Sequence, residues 1–441
     1  MRSASSRSTG PAGDRRGDAA GVEAYLFPAV VGGGLGDIEE VLAAGRYLAR
    51  AGVPVRLYRR PGRPLPRSVD GPWEWPPLRR LDRLAPAAGA ALTVSPAWGI
   101  SAAPAGPPPL GRPGPWAEEA ADLEGAYGAD RTIHVSLEEF ARTLTVREET
   151  IERFREGGVR ARAIAPAAVR ARRSGEVATF DREFRRFRAF DRANVLHLFA
   201  TFRREPRFAR QFPEAVQTGP LGSGRLAARR RTRRRPSGRA PWVWYASPAS
   251  AESLFPEVAA ALTRGPTPHP LIVRSPRSWR AAPPPGVVVS TTPWPAAAWR
   301  RRFEDAPVRI VTGSRSLLEA LELGRPFLYF NGVLGDGAAR RRHRPEKVIA
   351  LLDRARAARW PSDVRRDLAD FARGRRVGEV VRRAADRRGG WGRPWAPVRP
   401  EGFSPPFDEA GAVVVAAARA LARPGASAAG IVADLRSRSN A

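Results

Sequence analysis

Cysteine is absent from this 441-residue chain. That excludes disulfides, thiolate zinc sites, iron–sulfur clusters and a thiol nucleophile. The four histidines, at 134, 197, 269 and 343, form no pair at metal-ligand spacing, so a structural zinc site is not expected. No apolar run reaches the roughly 20 residues that span a bilayer. Residues 1–20 are rich in Ser, Arg, Gly and Asp without an apolar block and read as a disordered tail rather than a secretory leader. A P-loop, a G-x-S-x-G elbow and an H-E-x-x-H helix are all missing. ATP-driven phosphoryl transfer and the two matching hydrolase chemistries are therefore not expected.

Lysine is nearly missing too. Lys347 stands alone among 75 basic residues, which outnumber 44 acidic ones for a net charge of +31. Such an excess raises nucleic acid as a partner, because clustered cations release phosphate counterions. Near-complete replacement of Lys by Arg, with abundant Ala, Gly and Pro, instead reads as compositional bias. Nucleic acid is accordingly not the expected main partner. The densest run, Arg229 to Arg235, is a solvated loop or a contact for anionic lipid head groups.

The most informative segment is 308–332. Val308, Ile310 and Val311 form a β-branched run suited to a buried parallel strand. Gly313 follows as a turn into a helix, whose unpaired amides and positive dipole end can hold a diphosphate. Leu317, Leu318 and Leu321 give that helix an apolar face, Gly324 fits its C-terminal cap, and Pro326 stops it before the apolar run Phe327 to Phe330. Ser316 and Glu319 also have capping-box spacing, by which Glu319 would only satisfy a helix-start amide.

The order Gly313, Ser314, Ser316, then Glu319-Ala320-Leu321, then Gly324-Arg325-Pro326, resembles the C-terminal signature of GT-B glycosyltransferases. The resemblance spans roughly residues 22 to 385. It implies a nucleotide-sugar donor, with the turn amides on the diphosphate and the glutamate on the ribose hydroxyls. Ser314, Arg315, Ser316 and Glu319 inherit those roles, with Asn331 and Asp336 as further donor contacts. Many members carry His or Arg just before the turn glycine, where this chain has Val311 and Thr312, so Arg315 or Arg274 is expected to supply that contact. Arg340 to Arg342 would add charge complementarity. No cofactor or metal is implied.

A second strand, glycine turn and helix lies near the N-terminus. Val22 to Val31 is largely apolar and leads through Gly32, Gly33, Gly34 and Gly36 to Asp37. Ile38, Val41, Leu42, Gly45 and Leu48 then recur at helical spacing. Gly52 ends the helix and Val53 to Tyr58 reads as the next strand, completing a βαβ unit. The glycine spacing does not follow G-x-G-x-x-G, so a dinucleotide site is not indicated. In the resembled family this loop faces the cleft. Asp37 reads either as a helix cap, with Glu40 three residues on, or as the base that deprotonates an acceptor hydroxyl. His134, after a strand, competes for that role, whereas His197 reads as a core histidine.

Length fits two domains of roughly 150 to 200 residues. The expected fold class is α/β, with two Rossmann-like doubly wound parallel-sheet domains facing a cleft. Residues 21–218 are expected to form the acceptor domain and 219–385 the nucleotide-sugar domain. Residues 386–441 form a tail whose helix, near 408–422, packs back on the first domain. Strands are expected at 194–199, 215–218, 241–246, 271–273 and 287–289. Pro104 to Pro115 reads as a surface loop.

The expected activity is metal-independent transfer of a sugar from a nucleotide diphosphate to an acceptor hydroxyl. The acceptor is unnamed, with a lipid-linked one compatible with peripheral contact at an anionic membrane. The cytoplasm or its membrane face is the expected location. A nucleotide-sugar epimerase or hydrolase on the same fold, and a non-catalytic protein binding nucleic acid or membrane, stand as alternatives.

Overall fold

The computed structural model describes residues 21–28, 36–58, 79–81, 89–96, 117–138, 193–200, 215–219, 221–222, 240–246, 248–264, 268–274, 282–291, 296–330, 360–392 and 409–440. Two parallel sheets organise them, each with its own apolar core.

The first sheet comprises β1 (Val22–Leu26), β2 (Val55–Tyr58), β3 (Arg79–Leu81), β4 (Ala90–Pro96), β5 (Thr132–Glu138), β6 (Val195–Ala200) and β7 (Ala215–Thr218). Their order across the sheet is β3-β2-β1-β4-β5-β6-β7, all in parallel. Helix α1 (Gly36–Arg50) joins β1 to β2, and α2 (Ala117–Tyr127) precedes β5. Central strand β4 is buried along its whole length, as a parallel strand covered on both faces must be. Gly52, at φ 82°, closes α1 as read from sequence, with the Val53 amide returning to the Leu48 carbonyl.

The second sheet holds β8 (Trp242–Tyr245), β9 (Leu271–Arg274), β10 (Val287–Ser290), β11 (Arg309–Val311) and β12 (Phe327–Tyr329), in the order β10-β9-β8-β11-β12. Helices α3 (Pro248–Thr263), α4 (Ala296–Asp305) and α5 (Ser314–Leu323) alternate with the strands. Arg309 is fully buried in β11. Its guanidinium donates to the Phe303 and Glu304 carbonyls at the end of α4, where a cation complements the helix dipole. Two helices follow, α6 (Ser362–Ala372) and α7 (Val377–Ala385), and the second core continues past residue 385 to Trp391. There the Trp391 indole donates to buried Asp367 at 2.8 Å.

The chain ends with α8 (Glu409–Leu421) and α9 (Ala428–Asn440), and both belong to the first core. Helix α8 packs on α1 so closely that a Cβ on Gly411 would lie 2.6 Å from the Tyr47 ring. Arg436 of α9 donates to the Val195 carbonyl at 2.9 Å. Both C-terminal helices therefore pack on the first sheet's core. Residues 1–20, 104–115, 229–235 and 340–343 lie outside the described residues.

Candidate functional site

In each sheet the strand order reverses once, between β1 and β4 in the first and between β8 and β11 in the second. An open parallel sheet forms a crevice beyond the carboxyl ends of its strands at that point. The Gly313 turn follows β11, so it lies at the second sheet's switch point. Helix α1, which follows β1 in the chain, and helix α5, which leaves the Gly313 turn, pack against each other.

At the second crevice Leu317 makes the first intrahelical bond of α5, donating to the Gly313 carbonyl at 3.0 Å. The amides of residues 314, 315 and 316 precede it, in the positions where an α-helix offers donors without helical acceptors. The Ser316 hydroxyl accepts from the Gly313 amide at 3.2 Å and donates to the Gly313 carbonyl at 3.0 Å. The cap is thus made by Gly313 and Ser316, not by the Ser316 and Glu319 pair that the spacing suggested. Gly313 has φ −109° and ψ 161°, which any residue adopts. A Cβ there would meet only the Ser316 hydroxyl, at 3.7 Å. Its lack of a side chain leaves the turn open to a ligand rather than permitting the turn. Gly324, at φ 58°, does take the left-handed conformation that ends α5.

Arg274 lies at the end of β9, in register with Tyr245 of β8 and Ser290 of β10. Its guanidinium carbon sits 5.2 Å from the Trp299 ring centroid and 5.9 Å from that of Tyr245, so two π faces flank the cation. Burial pulls its pKa below the ordinary guanidinium value, and Tyr245 partly offsets this. Among the described residues no carboxylate pairs with it. Beside it, the Thr312 hydroxyl donates to the Tyr245 carbonyl at 3.0 Å and ties the ends of β8 and β11.

Two expectations are corrected. His134 does not open onto a cleft: it is fully buried within β5. Its Nδ1 lies 2.8 Å from the Thr93 hydroxyl and its Nε2 2.8 Å from Glu124, which also accepts from Asn194. Both ring nitrogens are engaged in the core, where no acceptor hydroxyl reaches them. The Arg315 side chain does not line the turn either. It is 8% exposed and donates to the Leu221 carbonyl at 2.8 Å, in the crossing between the two sheets.

Other predicted residues are placed less completely. Glu319 is partly buried, 3.8 Å from Arg315. Gly36 begins α1, so Asp37 lies within its first turn rather than before it. The side chains of Asp37 and Ser314, and all of Gly33, Gly34, Asn331 and Asp336, lie outside the described residues. His197 is buried in β6, as expected of a core histidine. Sequence reasoning missed Tyr245 and Trp299, which frame Arg274. Their signal was present, since aromatic residues at a strand end and on the helix after the next strand enclose that edge. Among the described residues no three His, Asp or Glu side chains group to hold a metal ion.

No family model matches the chain, and no curated protein does. Solved glycosyltransferase structures do. The glycotransferase of kitacinnamycin is 17% identical, with 83% of this chain and 97% of that one covered at a TM-score of 0.38. The glycosyltransferase SnogD from Streptomyces nogalater is 15% identical, with 90% and 99% covered at a TM-score of 0.35. A UDP-glucosyltransferase from Polygonum tinctorium capable of glucosylating indoxyl is 11% identical, with 96% and 99% covered at a TM-score of 0.42.

Proposed function

We propose that the chain is a glycosyltransferase that moves a sugar from a nucleoside diphosphate to an acceptor hydroxyl. The observation that carries this reading is a coincidence of place. An open helix-start turn after β11 and a half-buried arginine at the end of β9, with no carboxylate partner among the described residues, lie at the carboxyl ends of strands on either side of β8. A diphosphate fits both, since helix amides and a guanidinium together match its charge and acceptor oxygens.

In this reading residues 21–218 take the acceptor and residues 219–385, with the following segment to Trp391, hold the donor. The acceptor oxygen attacks the anomeric carbon while the bond from that carbon to the diphosphate breaks, and the leaving group gains negative charge. In this reading the amides of Ser314 to Ser316 and the Arg274 guanidinium stabilise that charge as it develops. Glu319, one turn along α5, binds the ribose hydroxyls, with Asn331 and Asp336 toward the sugar. Asp37, in the first turn of α1, accepts the proton of the acceptor hydroxyl. No divalent ion is needed for the leaving group. Among the described residues no helix is long and apolar enough to cross a membrane, and a lipid-linked acceptor would be met from the membrane surface.

Calorimetric titration of UDP, GDP and dTDP, with magnesium and with EDTA, tests the reading. One nucleotide binds equally in both conditions, and Glu319→Ala weakens it. Failure of all three to bind removes the chemical basis of the proposal.

A further inference from the structure

Arg315 occupies the second position of α5, in the first turn, where the positive end of the helix dipole disfavours a cation. It is also nine-tenths buried. Burial acts to lower its pKa, but Glu319 and Glu322 of α5, with Glu39 and Glu40 of α1, outweigh that and hold it above the ordinary value. A methionine of similar volume would fill the space without either cost. What the guanidinium adds is a fixed contact: Nη1 donates to the Leu221 carbonyl at 2.8 Å and reaches that of Gly222 at 3.5 Å.

Those carbonyls belong to the crossing between the two sheets. The Leu221 side chain is part of the first core. Just upstream, the Gly219 amide donates to Glu409 at the start of α8, at 3.0 Å. The crossing is therefore held from the first domain by Glu409 and from the second by Arg315. The residue that grips it from the second domain also carries one of the backbone amides of the Gly313 turn.

We infer that Arg315 is a positioning residue that joins the Gly313 turn to the interdomain crossing, so that anion binding at the turn and the setting of the two domains are coupled. The backbone of the first turn of α5 takes the anion, and the side chain from the same turn takes the linker. A displacement of that turn on binding is passed to residues 219–222 through one charge-assisted hydrogen bond. The clamp stands on geometry alone, whereas the coupling rests on the proposed diphosphate site.

Amide hydrogen exchange at Gly219, Leu221 and Gly222 separates the two. In the nucleotide-free protein, Arg315→Met speeds exchange there by about tenfold, the effect of losing one hydrogen bond to a charged donor. Arg315→Lys, which keeps the charge and a donor, restores part of the protection and serves if the Met variant does not fold. Saturating UDP, or whichever nucleoside diphosphate binds, slows exchange at the crossing in the wild type and not in Arg315→Met.

Unchanged exchange in both nucleotide-free variants overturns the clamp. A wild type that binds nucleotide without any change at the crossing overturns the coupling. A large loss of affinity in Arg315→Met with unaltered exchange makes the side chain a donor contact instead. If no nucleotide binds the wild type, the proposed function and the coupling fall together, while the nucleotide-free comparison still decides the clamp.

Discussion

The Thr312 hydroxyl donates to the Tyr245 carbonyl at 3.0 Å, across the two strands between which the order of the second sheet reverses. This bond fixes the floor of the crevice. Thr312→Val keeps the shape and removes the donor, so it should cost about 1 kcal/mol in the urea unfolding of the second domain. Nucleotide affinity should fall with it, since the Gly313 turn begins at the next residue.

Gly313 separates stability from binding. Its φ of −109° and the 3.7 Å clearance to the Ser316 hydroxyl accommodate alanine. Gly313→Ala should leave the unfolding free energy unchanged or raise it by up to about 1 kcal/mol, through the unfolded chain. Nucleotide affinity should drop all the same, because the added methyl group occupies the approach to the helix amides. Parallel denaturation and binding curves check both halves.

Arg274 is flanked by Tyr245 and Trp299 and lacks a carboxylate partner among the described residues. Arg274→Gln should weaken nucleoside diphosphate binding by about 2 kcal/mol, the scale of a hydrogen bond to a charged group. Nucleoside affinity should change far less. Arg274→Lys should recover only part, since an ammonium lacks the planar fork that stacks on aromatic rings. Titrations with UDP and with uridine make the comparison.

His134 belongs to the core, so its replacement should act on folding and not on chemistry. His134→Leu strands Glu124 and Thr93 without their ring partner, at a cost of about 2 kcal/mol. The transfer rate per folded molecule should not change. A rate collapse without loss of stability would restore His134 as a base.

His269 supplies a pH dependence. Burial lowers its pKa below the usual 6.5, Asp386 acts against that and Arg387 with it, and a hydrogen bond with the Ala385 backbone raises it. The folded state therefore favours neutral imidazole. The stability it contributes is complete above about pH 6.5 and is lost as pH falls through the depressed folded value. Thermal unfolding should show a falling midpoint over that acid range, and His269→Phe, which preserves the contact with the Trp242 ring, should flatten it.

Much of the architecture was legible because parallel strands buried on both faces leave apolar runs bounded by Gly and Pro. The strands at 215–218 and 271–274 were readable for that reason. Strand β4, with the sequence AALTVSP, and α2, rich in Ala, went unread because alanine marks neither period strongly. Helices α6 and α7 were missed among their arginines. One of their acidic residues, Asp367, turns inward and pairs with Arg376 and Arg383, and local pattern does not reveal such pairing.

The site was half legible. A turn between a strand and a helix is a local feature, so the Gly313 segment could be recognised from its neighbours in sequence. Where a long side chain points depends on elements far away. Arg315 could not be seen to reach Leu221, 94 positions away, and His134 pairs with Thr93 across 41 positions.

The central claim is that the Gly313 turn holds a diphosphate, and a crystal structure with the nucleoside diphosphate that binds best tests it most directly. The account predicts the phosphates on the amides of residues 314 to 316, with the Arg274 guanidinium in hydrogen-bonding range. Phosphates bound instead at the glycine stretch after β1, or on the arginine-rich surface away from both crevices, would contradict it.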